Sequence, residues 1–130
     1  MIKFIKYWLP VILWAGLIFY LSSVPNLNSG LAVFWDVFLR KLAHSGEFGI
    51  LFLLIFRALK SGEVVGFKKA LMWSFAAAIL YAFSDEFHQY FVAERQARLR
   101  DVAFDGLGII LSGFLLLFCR IRDQKRIISD

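Results

Sequence analysis

The chain has a single cysteine, Cys119, so it cannot form an internal disulfide, and it lacks the Cys/His spacing typical of zinc sites. Charged residues are also scarce, at 19%, against about 25% in soluble domains. The net charge of +5 does not indicate nucleic acid, because the basic residues form short groups between apolar runs rather than one patch. We find no internal repeat, low-complexity tract or second domain.

Apolar residues dominate instead. They make up 60% of the chain, and the mean hydropathy is +0.68, which is typical of a membrane protein. Four apolar segments cover residues 7–21, 42–56, 70–84 and 102–119, and with their polar ends each approaches the roughly 20 residues of a spanning helix. The sequence therefore predicts an all-α, integral membrane four-helix bundle. We expect one domain over residues 1–130, with helices over about 5–24, 38–59, 67–91 and 100–120.

The first apolar segment also has features of a signal peptide, since Lys3 and Lys6 precede it. No Ala-x-Ala-like cleavage site follows; Ser22, Ser23 and Pro25 are a poor substitute. We therefore expect the segment to be retained as the first helix.

Positive charges predict the orientation of the bundle. Ten fall on one side: Lys3, Lys6, Arg57, Lys60, Lys68, Lys69, Arg120, Arg122, Lys125 and Arg126. Five fall on the other: Arg40, Lys41, Arg95, Arg98 and Arg100. Because positive charge is enriched in cytoplasmic loops, we expect both termini in the cytoplasm. The charged segment after Ser84 would then face outward.

Turn and packing signals agree with a bundle. Residues 25–30 form a turn-rich stop after the first helix, and Ser61 and Gly62 begin the turn between helices two and three. Gly108 and Ser112 on the fourth helix have the spacing of small residues that allow close helix approach in lipid.

Ionisable side chains of three helices fall at a similar predicted depth. We take Arg57, Lys69 and Arg120 as the inner edge of the hydrocarbon and allow a rise of about 1.5 Å per residue. The resulting heights are about 20 and 15 Å for His44 and Glu47, about 24–26 Å for Asp85 and Glu86, and about 22 and 28 Å for Asp105 and Asp101. In a hydrocarbon core about 30 Å thick, all six lie in the outer half. We call this set the polar layer and expect it to face the bundle interior.

Two interpretations of the polar layer are open. Hydrogen bonding between helices would explain any one of its residues, but packing alone does not require so many carboxylates. Ionisable groups at this depth are otherwise typical of functional sites. His88 lies next to the layer, and we interpret it as an interfacial residue at a helix end.

The chain resembles the bacterial VanZ-like family of small four-helix membrane proteins. The first elements of the resemblance are Ser22, Ser23 and Pro25, which end the first helix, and Lys41, His44, Glu47 and Phe48, which match a Lys-x-x-His-x-x-Glu-aromatic stretch. The strongest element is Asp85, Glu86 and Gln89, followed by Arg95, Asp101 and Gly108. Two residues depart from the pattern: Asp105 stands where Asn is more usual, and Arg98 where a small or acidic residue is common.

The resemblance implies a cell-envelope protein associated with glycopeptide (teicoplanin) resistance. It also suggests a lipid-headgroup hydrolase or transferase that acts on a phospholipid or a polyprenyl-linked precursor in the outer leaflet of the bacterial plasma membrane. The catalytic candidates are His44, Glu47, Asp85, Glu86 and Asp101. The substrate-binding candidates are Lys41, Gln89, Arg95, Arg98 and Asp105.

The chemistry assigned to these candidates follows from their side chains. His44 would act as general base or nucleophile, oriented by Glu47 or Asp85. Arg95 or Arg98 would hold a phosphate through the guanidinium fork. The acids suit a divalent cation, although no strict ligand spacing indicates one.

Two alternatives belong to other functional classes. A non-catalytic protein could use the same pocket to bind a lipid or a partner and so alter antibiotic access. A proton or ion relay could use the intramembrane acids and histidine, but four short helices make a poor transporter unless they oligomerise. In every case we expect membrane lipids as partners and no nucleic acid.

Overall fold

The computed structural model describes residues 2–24, 33–61, 65–92 and 99–129. These residues form four helices and contain no strand: α1 (Ile2–Ser23), α2 (Val33–Lys60), α3 (Phe67–Gln89) and α4 (Leu99–Ser129). The predicted all-α four-helix bundle is therefore confirmed. The turn predicted at 25–30 lies outside the described residues, as do Gly62, Arg95 and Arg98.

Two helices are longer than the sequence predicts. α2 begins at Val33 rather than near residue 38, because the aromatic and apolar stretch before residue 38 continues the helix. α4 runs to Ser129 rather than ending near residue 120. No glycine or proline interrupts its basic last segment, so nothing ends the helix there.

Three helices, α1, α2 and α4, are long and apolar enough to cross a membrane. By composition α3 is not among them, although the sequence predicts four such helices. Lys68 and Lys69 at one end of α3 and Asp85 and Glu86 at the other restrict its uncharged stretch to residues 70–84. α3 nevertheless packs against the other three helices in one bundle.

Burial in this bundle is typical of a membrane protein. Large apolar side chains such as Trp73, Leu80 and Phe114 are 65%, 69% and 66% exposed, whereas Asp85 and Asp105 are buried. The α3 face that packs inward has a small residue at every fourth position, namely Ala70, Ser74, Ala78 and Ala82, and all four are buried. In lipid, where packing replaces the hydrophobic effect, small residues allow helices to come close.

The closest approach joins α2 and α4, which share the most extensive interface. A Cβ atom added to Gly108 would overlap the backbone carbonyl of Ser45. One added to Gly49 would lie 2.7 Å from Ser112 Oγ and 3.0 Å from the carbonyl oxygen of Gly108. The close packing predicted at Gly108 and Ser112 is thus confirmed, and it holds the two helices together one turn from Asp105.

Candidate functional site

His44 lies between two carboxylates. Its Nδ1 is 3.0 Å from Oε2 of Glu47, one turn along α2, and its Nε2 is 3.1 Å from Oδ2 of Asp85 on α3. An ionised carboxylate only accepts hydrogen bonds, and a neutral imidazole has a single N–H to donate. Both contacts can therefore be hydrogen bonds at the same time only when the trio of His44, Glu47 and Asp85 carries one additional proton. The ring also packs edge-on against Phe48, which is fully buried. His44 is therefore oriented from both nitrogens.

Asp85 is the centre of this network. Its Oδ2 accepts hydrogen bonds from Ser22 Oγ and Gln89 Nε2, both at 2.8 Å, in addition to the His44 contact. Ser22 belongs to α1, so the carboxylate joins three helices. The other oxygen, Oδ1, is buried and has no hydrogen-bond partner among the described residues. Asp85 thus retains an unused acceptor in the interior of the bundle.

Further acids border the network from α3 and α4. Asp105 is buried, at 2% exposure, and lies close enough to His44 and Asp85 to interact with their charges. Glu86 and Asp101 also interact with it electrostatically, and Glu86 is buried as well. The α4 face predicted to belong to the polar layer therefore does reach it.

An ion pair lies at the edge of the polar layer. Lys41 Nζ binds Asp101 Oδ1, linking α2 to α4. Lys41 also lies over the ring of Phe104, 4.7 Å from its centre. Both members of the pair are partly exposed, so they lie at the edge of the polar layer rather than in its buried centre.

The predicted candidates thus fall into three groups. The structure joins His44, Glu47, Asp85 and Gln89 by hydrogen bonds. It pairs Lys41 with Asp101 and buries Asp105 and Glu86 beside them. Arg95 and Arg98 lie outside the described residues.

His88 is separate from the network, in keeping with its interpretation as a residue at a helix end. Its Nε2 lies 2.9 Å from Ser23 Oγ, and its ring stacks on Phe19 with 4.1 Å between centres. The two histidines of the chain therefore have different surroundings: His44 contacts two acids, and His88 contacts a hydroxyl and an aromatic ring.

Ser22 belongs to the network although it was not among the predicted site residues. It is 1% exposed and donates to Asp85. Its depth is a signal in the sequence that indicates this position, since sixteen residues from Lys6 correspond to about 24 Å along a helix, the height of Asp85.

Two more hydrogen bonds fix α1 against this region. Trp14 Nε1 donates to the backbone carbonyl of Glu47 at 2.9 Å. The hydroxyl of Tyr81 donates to the carbonyl of Ala15 at 2.7 Å. On α1 these bonds involve Trp14 and Ala15, about two turns from Ser22, so they help to set the position of its hydroxyl.

The chemistry available here is that of acids, a histidine and a hydroxyl. The described residues contain no group of three or more His, Cys, Asp or Glu side chains arranged to hold a metal ion. Asp85, Asp105 and the His44–Glu47 pair can accept, donate and transfer protons.

The profile of the VanZ/LLP1 family matches residues 7–120. The chain belongs to the VanZ/LLP1 family. The match includes part or all of each of the four helices and every residue of the polar layer. Membership supports a VanZ-like, resistance-associated membrane protein. No curated protein and no solved structure matches the chain significantly.

Proposed function

We propose that this VanZ-like protein hydrolyses or transfers the phosphate-linked headgroup of a membrane lipid, either a phospholipid or a polyprenyl-linked envelope precursor. The observation that carries the proposal is the partly buried network in which His44 is held by Glu47 and Asp85. We further propose that the bundle lies in the bacterial plasma membrane with both termini in the cytoplasm. The polar layer then faces the outer leaflet, where headgroups lie beside acyl chains.

The proposed reaction uses the longest contact in the trio. The His44 Nε2 to Asp85 contact is 3.1 Å, and Asp85 Oδ2 already has two donors at 2.8 Å. When the additional proton of the trio has been released to water, Nδ1 donates to Glu47 and Nε2 carries no proton. A substrate that then separates Nε2 from Asp85 leaves this nitrogen free to act as a base. His44 then takes a proton from the attacking water or alcohol, an oxygen–phosphorus bond forms, and the bond to the leaving oxygen breaks. The leaving oxygen takes the proton back from His44.

The charged residues have separate roles in this proposal. Acids outnumber cations in the described part of the polar layer. Because carboxylates repel a phosphate, its binding requires additional positive charge. We assign that role to Arg95 and Arg98, whose guanidinium groups suit phosphate, with Lys41 at the edge. Asp105 and Glu86 would orient the headgroup or the attacking water.

One observation favours the non-catalytic alternative. Both nitrogens of His44 contact carboxylates, so neither is free in this arrangement. In a lipid- or partner-binding protein the contacts of His44 with Glu47 and Asp85 would remain intact, and the network would form part of a recognition pocket. Such a protein would change the access of teicoplanin to its envelope target without changing the lipids.

A pair of histidine variants tests the proposal. His44→Ala removes the central side chain of the network, and His88→Ala is the matched control at the same end of the bundle. Lipids and cell-wall precursors are compared by mass spectrometry in cells that make wild type, either variant or neither. We expect wild type and His88→Ala to change the profile and His44→Ala to abolish the change.

Other outcomes separate the alternatives. If wild type gives the same profile as cells without the protein, the enzymatic proposal is wrong. Altered teicoplanin susceptibility without a lipid change would then support the binding protein. Proton flux in liposomes that contain the purified protein would instead support a relay.

A further inference from the structure

A second candidate site lies at the end of the bundle opposite the polar layer. A groove with a volume of about 670 Å³ opens between the start of α3 and the C-terminal half of α4. Its lining includes Phe67, Lys68, Lys69, Leu117, Arg120 and Ile121, and we call it the basic groove. The volume is within the range of about 300–1,000 Å³ that is usual for sites binding small molecules.

The basic groove has positive charge without a described acidic partner. Lys68, Lys69 and Arg120 all line it, and none forms an ion pair with a described residue. Two of these charges are in the first turn of α3, where the backbone dipole is already positive and no acidic residue or side-chain cap compensates. The three positive charges and the positive end of the α3 dipole repel one another. An anion bound in the groove would reduce this repulsion.

Aromatic contacts fix one of the cations over the groove. The Arg120 guanidinium lies 3.9 Å from the centre of the Phe67 ring. Phe67 in turn packs edge-on against Phe56 of α2, with 5.2 Å between ring centres. Arg120 is therefore held toward the first turn of α3 by a stack that reaches a third helix.

The remaining lining is apolar. Leu117 and Ile121 lie one turn apart on α4 and are 37% and 54% exposed. The groove thus offers cations at its rim and an apolar surface beside them. This combination matches an amphipathic anion, with a phosphate for the cations and a hydrocarbon chain for the α4 face.

We propose that the basic groove binds an anionic phospholipid of the surrounding bilayer. The phosphate lies against Lys68, Lys69 and Arg120, and one acyl chain runs along Leu117 and Ile121. This lipid is separate from the substrate proposed for the polar layer, because the two sites are at opposite ends of the helices. It would hold the start of α3 against α4.

The test uses the full chain, purified in a neutral detergent and titrated with phosphatidylglycerol or phosphatidylcholine while binding is followed by native mass spectrometry. The groove variant combines Lys68→Gln, Lys69→Gln and Arg120→Gln. The control variant combines Lys3→Gln, Arg122→Gln and Lys125→Gln, which removes the same charge at the same end but outside the groove.

We expect wild type to prefer phosphatidylglycerol over phosphatidylcholine by at least about tenfold. The groove variant should lose on the order of 100-fold in affinity for phosphatidylglycerol, because each cation near a headgroup contributes roughly fivefold. The control variant should remain within about twofold of wild type. Arg120→Gln alone, with an unchanged circular dichroism spectrum, should lose roughly fivefold.

Three results would overturn the proposal. Equal losses in the groove and control variants would mean that only overall charge matters. Equal affinity of wild type for both lipids would mean that the groove does not recognise an anion. Displacement of phosphatidylglycerol by an equal concentration of inorganic phosphate would mean that the acyl chain contributes nothing and that the ligand is a free anion.

Discussion

At the polar layer three helices are joined by hydrogen bonds between side chains, whereas at the opposite end several described cations contact aromatic rings. Ser22 of α1 and His44 of α2 both contact the Asp85 carboxylate of α3. Arg57 and Arg120 instead lie over the rings of Tyr7 and Phe67, at 5.2 and 3.9 Å. At the first end the polar side chains bind one another. At the second, which we call the basic end, these cations are exposed.

Charged and polar side chains thus have different roles at the two ends of the bundle. Buried polar groups must find partners, because an unsatisfied donor or acceptor away from water is costly. The acids and His44 therefore fix one another's geometry, which is what a site for precise chemistry requires. Exposed cations at the basic end need no internal partner and remain available to the membrane surface.

The largest effect is expected where α2 and α4 approach most closely. Gly108→Ala would force the new Cβ into the Ser45 carbonyl, so the helices must separate, at an expected loss of about 3 kcal/mol or more in free energy of unfolding. The control is Gly113→Ala, five residues nearer the basic end, whose Cβ would lie 3.7 Å from Phe52 Cζ, an ordinary contact. SDS titration in mixed micelles measures both; similar values would show that the two halves of α4 are packed alike.

The next effect compares the two ends directly. Asp85→Ala leaves Ser22 and Gln89 without their acceptor, so it should reduce the free energy of unfolding by about 1–3 kcal/mol. Arg120→Gln, at an exposed position of the basic end, should change it by no more than about 0.5 kcal/mol. The same SDS titration, in lipid-free micelles, checks both variants. If Arg120→Gln reduced the free energy of unfolding as much as Asp85→Ala, the side chains of the two ends would contribute equally to stability and the distinction between the ends would be wrong.

Helix number and the meeting of His44, Glu47 and Asp85 could be predicted from the sequence. Length and hydropathy limit where spanning helices begin, and the rise per residue converts positions into depths. Residues of α2, α3 and α4 therefore fall in one layer by their positions in the sequence alone. The same conversion applies to Ser22, which was not predicted as a site residue because a serine shortly before a proline is usually interpreted as the end of a helix.

The bonding pattern could not be predicted. Depth does not reveal that one oxygen of Asp85 contacts Ser22, Gln89 and His44 while the other has no described partner. Nor does it reveal that His44 contacts acids from both nitrogens, since this depends on the rotation of each helix about its axis. The extension of α4 to Ser129 was also missed, because a change from apolar to basic residues marks a membrane boundary but does not end a helix.

The smallest effect concerns a single hydroxyl at each end. Tyr81→Phe removes the hydrogen bond to the Ala15 carbonyl, near the polar layer, and should reduce the free energy of unfolding by about 1 kcal/mol. Tyr7→Phe is the matched change at the basic end, where the ring contacts Lys6 and Arg57 and the hydroxyl has no described hydrogen-bond partner. It should stay within about 0.5 kcal/mol of wild type. Because both variants keep the ring, any difference between them reports the hydroxyl alone. Equal losses would mean that hydrogen bonds between side chain and backbone do not hold α1 to the polar layer, and that its position depends on apolar packing.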